Sequence, residues 1–396
     1  MDYRKTIRLY YDYVVPCYTK TPLVLQRGRG TRVWDAHGDE YLDFFPGWAV
    51  SGLGHCHKRV TEAIKRQVEQ LIHVSNNYYH EEQAKLAEVV IRHAFAGKVF
   101  FCNSGAEANE AAFKLARKFG NPMKNEIIAM ERSFHGRTLA AVAATGTAKY
   151  KEGFDPLPAG FKHVPFNDFP ALERAVTSKT AAIILELIQG EGGIHVVDAH
   201  YLTSMRRLCN DKKILLIFDE VQTGMGRTGR IFCYKNFGIE PDIMTLAKSL
   251  GGGFPIGAMV VKKEYADVLQ PGTHATTFGG SPLACAAALA TFEAIDKEKL
   301  LNNAVITGSH LFKRLGELKK RHAMIRQVRG MGLMAALELE IDGKAIYEEC
   351  LQKKLLINCT QGNVLRIMPP LIVREREIDR AVGILDEVLK KGSKSE

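Results

Sequence analysis

Short apolar runs at residues 98–102, 126–130, 181–186, 213–218, 243–247 and 257–262 alternate with stretches of helical periodicity, and this alternation constrains the fold more than any other feature. Runs of this kind read as strands buried on both faces, which occur where crossover helices cover a parallel sheet from both sides. The first expectation is therefore an α/β fold built on a mainly parallel sheet. Val60, Ile64, Val68, Leu71 and Ile72 recur at helical spacing and predict one amphipathic helix over 60–72. Leu283–Phe292 reads as a long helix leaving this layer. Beyond it, further helices and the strands 332–339 and 364–368 form a smaller α+β region. No internal repeat, low-complexity stretch or Gly/Ser linker interrupts the chain.

Two of the buried runs end on residues with chemistry. Ile243-Met-Thr-Leu-Ala closes on Lys248, before Ser249-Leu-Gly251-Gly252-Gly253, and Ile214-Leu-Leu-Ile-Phe ends on Asp219-Glu220. A lysine and an aspartate delivered separately to the C-terminal edge of one sheet suit pyridoxal phosphate. The amine condenses with the cofactor's aldehyde, and the carboxylate keeps its pyridine nitrogen protonated. Taken alone, a lysine at a strand end usually reaches for water. The short strand Lys98–Cys102 then feeds Asn103-Ser104-Gly105-Ala106-Glu107-Ala108-Asn109-Glu110, a strong helix start. Free backbone N–H groups and the positive end of the helix dipole outline a phosphate site there. The plainer reading is an ordinary N-cap.

At 396 residues with 46% hydrophobic content the chain can bury a substantial core, and its length points to roughly two to three domains. No segment holds the ~18 uninterrupted apolar residues of a membrane helix, and Met1-Asp-Tyr-Arg-Lys lacks the apolar core of a signal peptide. A cytoplasmic location is expected. Eight cysteines show no C-x-x-C pairing, and several sit in apolar segments, as reduced buried thiols do.

The formal charge of +10 raises the question of nucleic acid. One of its densest stretches, Lys319-Lys320-Arg321 beside an amphipathic helix, reads as a solvated face, the tail Lys390-Lys391-Gly-Ser-Lys394 reads as short and frayed, and no recognition motif accompanies either. Neither nucleic acid nor membrane is expected as a partner. The positive field would instead gather a phosphorylated cofactor and dicarboxylates. Gly224-Met-Gly226-Arg-Thr-Gly229 satisfies a dinucleotide fingerprint, but Arg230-Ile-Phe-Cys-Tyr follows it rather than a periodic helix. His55-Cys56-His57 does not match zinc spacing and reads as a Gly-His turn near an interface, so no metal is expected.

Together these segments resemble the class III, ornithine/acetylornithine-type aminotransferases of the pyridoxal phosphate fold type I superfamily, over nearly the whole chain. The resemblance is carried by Arg32-Val-Trp-Asp35, Tyr41-Leu-Asp43, Gly54-His55-Cys56-His57, Asn103–Glu110, Ser133-Phe134-His135-Gly136-Arg137-Thr138, Gln189-Gly-Glu191-Gly-Gly193, Asp219–Gly229, Leu246-Ala-Lys248, Thr276-Thr277-Phe278 and Leu365-Arg366-Ile-Met-Pro-Pro370. It implies a large cofactor-binding domain over 51–285 with a seven-stranded, mainly parallel sheet. It also implies a small α+β domain over 286–396, and a segment 1–50 joining that small domain and a dimer interface. The implied enzyme is a homodimer with shared active sites. It moves the terminal amino group of N2-acetylornithine to 2-oxoglutarate, giving a semialdehyde and glutamate. Donors such as 4-aminobutyrate, ornithine, lysine derivatives or diamines remain open, and related folds run aminomutase or decarboxylase reactions.

The same resemblance assigns roles. Lys248 and Asp219 are catalytic, Val221 and Phe134 flank the cofactor ring, and Gln222 bonds its phenolic oxygen. Ser104, Gly105 and Ala106 hold the phosphate, with Thr277 reaching in from the neighbouring subunit. Arg137 and Arg366 take carboxylates. Glu191 pairs with Arg366 while an ω-amine donor is bound and releases it for 2-oxoglutarate. Tyr18 aligns with a tyrosine that meets the donor's α-carboxylate, which favours an ornithine-derived donor. Three departures stand out: Leu187 follows Glu186 where proline is usual, Lys58 follows His57, and Trp48 replaces a smaller residue or a tyrosine, a bulk that would reshape the pocket. As isolated residues, Phe134, Val221, Tyr18 and Trp48 would read as packing, and Glu191 with Arg366 as a static ion pair.

Overall fold

The computed structural model describes residues 3–392. A seven-stranded sheet forms its centre, in the spatial order Gly97–Cys102, Gly257–Lys262, Ile243–Leu246, Leu215–Asp219, Thr180–Leu185, Glu126–Met130, Phe161–Val164. Gly257–Lys262 runs antiparallel to both its neighbours, and the remaining strands are parallel to one another. Alternate residues feed two apolar layers. Ile183, Leu185, Leu216 and Phe218 face one, and Ala182, Ile184, Leu215 and Ile217 face the other, where Ala111, Ala112 and Leu115 of the helix Gly105–Gly120 cover them. A strand buried on both sides needs apolar residues at every position, which is why these runs were legible.

Six of the seven strands coincide with the apolar runs. The seventh, Phe161-Lys-His-Val164, lies at the sheet edge with three of its four residues only partly buried, so its sequence carries no continuous apolar signal. The helix expected over 60–72 is shorter than its periodicity. It spans Lys58–Val68, Glu69 caps it, and Leu71 and Ile72 stand 43% and 55% exposed beyond its end.

The helix Pro282–Lys297 leads from this layer into the second region, where Leu300–Arg321 packs on an antiparallel sheet of Ile325–Met331, Met334–Leu339, Val364–Ile367 and Asn358–Thr360, and Glu375–Gly392 packs on Leu300–Arg321 in turn. The N-terminal strands Leu25–Arg29, Arg32–Asp35 and Glu40–Asp43 form a third sheet. Leu355–Leu356 completes it, pairing in parallel with Leu42 and Asp43. Gly224–Gly229 makes a series of turns rather than opening a helix, and Arg227 within it is buried against the carbonyls of Leu333 and Pro369. His55 bonds Asp43 at 2.8 Å, His57 bonds Glu298 at 3.2 Å, and the described residues gather no group of His, Cys, Asp and Glu that would hold a metal. Lys390 and Lys391 pair with Asp386 and Glu349, whereas Lys394 lies outside the described residues.

Candidate active site

The parallel strands deliver Asn103–Ser104, Phe134, Glu186, Asp219 and Lys248 to one edge of the sheet, around a cavity of about 390 Å³. Ser104, Gly105, Ala106, Phe134, Asp219, Val221, Gln222 and Lys248 all line it, as do Arg137 and Glu191 from the substrate-binding set.

Asp219 is 4% exposed and held by three donors. The Asn109 amide and the His135 ring each reach Oδ2 at 2.8 Å, and the Val221 N–H reaches Oδ1 at 3.1 Å. Asn109 is fixed in turn by the Thr245 hydroxyl at 2.8 Å and donates also to the His135 carbonyl at 2.8 Å. This network orients the carboxylate, which lines the cavity, and leaves Oδ1 with a single donor. Glu186, also buried, accepts the N–H groups of Phe134 at 2.9 Å and Gly190 at 3.0 Å. Burial pushes its carboxyl up to about 7, against the pull of His135.

Lys248 follows its strand in a left-handed conformation, φ 46°, which costs a side-chain-bearing residue energy and marks a constrained position. Burial pushes its ammonium down, opposed by Glu191, Asp219 and Glu186, so the amine is shifted toward its neutral, nucleophilic form.

At the far end of the cavity Ser104 caps the helix Gly105–Gly120, accepting the Glu107 N–H at 3.2 Å. Gly105 sits there because a Cβ would meet the Val221 methyl at 2.8 Å. The first N–H groups of this helix have no partner within it and face the cavity.

Glu191, which lines the cavity, closes the buried Arg366, 1% exposed, through Oε1 at 2.7 Å and Oε2 at 3.2 Å, and Arg366 bonds Asn358 and the Gly190 carbonyl as well. Burial opposes ionisation of Glu191, but the Arg366 guanidinium outweighs it and holds the carboxyl below its ordinary value. Arg137 is exposed at the cavity wall. Four of the residues singled out in the sequence do not line this cavity: Arg366, which meets it only through Glu191, and Thr277, Tyr18 and Trp48. Thr277 is exposed on its loop, while its neighbour Thr276 is tied to Asn103 at 3.2 Å. Tyr18 is 67% exposed beside the Lys20 ammonium. Trp48 packs its half-exposed indole edge-on against Phe45, and it is the Trp48 carbonyl that meets Gln222, at 3.4 Å.

The family model for aminotransferase class-III matches residues 13–389. The chain belongs to the class-III aminotransferases. It is a pyridoxal phosphate-dependent transaminase of fold type I. It is 52% identical over 392 residues to an acetylornithine aminotransferase of Methanocaldococcus jannaschii, covering 98% of each chain. Among solved structures, an ornithine aminotransferase of Toxoplasma gondii, with pyridoxal phosphate at partial occupancy in its active site, superposes with a TM-score of 0.96 at 33% identity. That match covers 100% of this chain and 95% of the other. An acetylornithine aminotransferase of Elizabethkingia anophelis gives 0.88 at 31%, covering 99% and 100%.

The transaminase cavity fits its cofactor on its own terms. The buried Gln222 Oε1 and His135 Nε2 have no hydrogen-bond partner, the start of the helix Gly105–Gly120 lines the cavity, and the fixed Asp219 carboxylate and the Lys248 amine line it as well. Sequence reasoning missed Asn109, His135, Thr245 and Glu186 as contributors. The available signal was a polar residue inside an otherwise apolar face, as with Asn109 among Ala108, Ala111 and Ala112.

Proposed function

We propose that this aminotransferase transfers the terminal amino group of N2-acetylornithine to 2-oxoglutarate, as a homodimer with shared active sites. The carrying observation is the asymmetry of the two arginines: Glu191 closes Arg366, whereas Arg137 is exposed at the cavity wall. A cavity with one open guanidinium suits a donor with one carboxylate near its far end and a neutral acylated amine beside it. A free α-ammonium would be repelled by the same arginine.

When bound, pyridoxal phosphate supplies the aldehyde that takes up the amine and the electron-withdrawing ring that stabilises charge at the reacting carbon. Asp219 would keep the ring nitrogen protonated. Phe134 and Val221 would pack on the ring, and Gln222 would hydrogen-bond its phenolic oxygen. Ser104, Gly105 and Ala106 would hold the phosphate. The Lys248 amine would be the group that holds and moves the proton taken from the donor's δ-carbon. In the second half-reaction Glu191 swings away, Arg366 receives the α-carboxylate of 2-oxoglutarate, and Arg137 receives the distal one.

The dimer reading is supported by exposed apolar side chains around Thr277. Phe278 is 63% exposed, Tyr78 68%, and Leu71 and Ile72 lie on the same segment as His73, whose ring is 5.2 Å from Phe278. Thr277 would then serve the phosphate of the second subunit, and the exposed Tyr18 and Trp48 would meet substrate only in the assembly. The division into 1–50, 51–285 and 286–396 belongs to the same proposal. So does a cytoplasmic place of action, supported by cysteines that are all free thiols, five of them buried. No helix among the described residues is long and apolar enough to cross a membrane.

Initial rates with N2-acetylornithine, ornithine, 4-aminobutyrate and putrescine against 2-oxoglutarate test the reading. N2-acetylornithine is expected to lead in kcat/KM by about 10-fold or more, the discrimination one good polar contact supplies. A preference for any of the others would replace it as donor.

A further inference from the structure

Among the described residues the Arg137 guanidinium makes no ion pair and no hydrogen bond, although it borders the cavity. Its contacts are aromatic: the guanidinium carbon lies 4.0 Å from the Tyr150 ring centroid and 5.5 Å from that of Phe134. Those two rings pack edge to face, 5.5 Å apart at 81°. Tyr150 is partly buried and ends the short turn Ala148–Tyr150. This turn is anchored to the stretch that carries Phe134 and Arg137: the Gly146 N–H reaches the Ser133 carbonyl at 3.1 Å and hydroxyl at 3.0 Å, and the Thr147 hydroxyl reaches the same carbonyl at 3.4 Å. Gly146 lies so close to the end of the strand Glu126–Met130 that a Cβ would meet the Met130 carbonyl at 2.1 Å.

We propose that Tyr150 is a positioning residue for substrate carboxylates, holding the Arg137 guanidinium by its face so that the edge N–H groups stay free for a carboxylate. The inference rests on reading Arg137 as a carboxylate receptor. A guanidinium stacked on a ring keeps its in-plane donors available, and one held in place loses less freedom when a ligand arrives. Arg366 offers the internal comparison. It too rests on a ring, Phe45 at 4.8 Å, but its edge is occupied by Glu191. Phe134 couples the two ends of the cavity, because the ring that packs on Tyr150 is the one assigned to the cofactor.

The test uses the holoenzyme, the dissociation constant of glutarate by calorimetry and steady-state kinetics with 2-oxoglutarate. Glutarate has both carboxylates but neither an amine nor a ketone, so it reports binding without turnover. Tyr150→Leu is expected to raise the glutarate Kd and the 2-oxoglutarate KM about 5- to 20-fold while kcat stays within about 2-fold, and Tyr150→Phe should recover most of the loss. In an Arg137→Ala background Tyr150→Leu should add less than about 2-fold, since the ring acts through that arginine. Should the leucine variant not fold, Tyr150→Met removes the ring with a different shape and serves the same comparison. If Arg137→Ala weakens glutarate but loss of the Tyr150 ring does not, the positioning role is wrong and the receptor role of Arg137 stands. If Arg137→Ala itself leaves the Kd unchanged, both are wrong. A fall in kcat at unchanged KM, or no recovery with phenylalanine, would also overturn the proposal.

Discussion

Glu191 closes Arg366 with its side chain while its backbone is held from the other region of the fold: Oε1 lies 2.7 Å from Nη1, and the Glu191 carbonyl accepts from the Thr360 hydroxyl at 3.1 Å and the Gln361 amide at 2.8 Å. The carboxylate can therefore leave the arginine by side-chain rotation alone. Arg366 would keep Asn358 and the Gly190 carbonyl as partners, so opening the pair does not strand a buried charge without hydrogen bonds.

Lys248→Ala should leave the fold intact and the phosphate end of the site able to hold cofactor. Transamination should fall by about 10³-fold or more, because the covalent anchor and the proton carrier are lost together. Circular dichroism and the near-visible absorbance of the reconstituted protein check the first part, and single-turnover assays the second. Turnover near the wild-type rate would reassign the lysine.

Asn109 bridges Asp219, Thr245 and the His135 carbonyl in a buried network. Asn109→Ala leaves the Thr245 hydroxyl and the His135 carbonyl without that partner. It should cost about 1–3 kcal/mol of stability. It should also loosen the cofactor, because Asp219 is less firmly oriented. Thermal melting and cofactor titration measure the two effects, and an unchanged melting temperature would mean that the network adds little.

Much of the active site was legible because sheet topology does the assembling. A lysine, an aspartate and a glycine-bearing helix start, read as ends of parallel strands, must converge at one edge once the strands pair in the order observed. The supporting shell was not legible. Asn109 and His135 meet Asp219 from 110 and 84 residues away, and nothing in their local pattern names it. Leu71 and Ile72 misled for a related reason: helical spacing records apolar surface that will be covered, but does not say whether the chain's own core covers it.

Glu186 gives a pH dependence with a definite sign. Its folded-state value of about 7 lies above the ordinary 4.5, so the unfolded chain loses this proton first as pH rises. The protonated group favours the folded state below about 4.5, and that contribution is lost on the way to about 7. Glu186→Gln cannot ionise. Relative to wild type it should gain stability across this window, by roughly 3 kcal/mol at most. Melting temperatures of both proteins at pH 4.5, 6 and 7.5 check it, and a constant offset between them would place the titration elsewhere.

If Thr277 completes the phosphate site of a second subunit, dilution into monomers should release cofactor, since binding and association are then linked. Thr277→Ala should weaken cofactor retention by about 10-fold, the value of one hydrogen bond to a charged group at the low end. Sedimentation across a dilution series, with bound cofactor read by absorbance, shows whether the two transitions coincide. A monomer that retains cofactor and activity would end the shared-site reading.

Central to the proposed function is Glu191 acting as a gate on Arg366. Glu191→Ala frees the guanidinium to bind an α-carboxylate during the donor half-reaction, so donors with carboxylates at both ends gain over ω-amine donors. Single-turnover kcat/KM for glutamate and for N2-acetylornithine, measured in wild type and Glu191→Ala, tests this directly. The expected result is a shift of the glutamate-to-N2-acetylornithine ratio on the order of 10- to 100-fold toward glutamate, as one charge-assisted contact provides. A ratio unchanged by the substitution would mean that the 2.7 Å pair is a static tie between the two parts of the fold, and that the choice between substrates is made elsewhere.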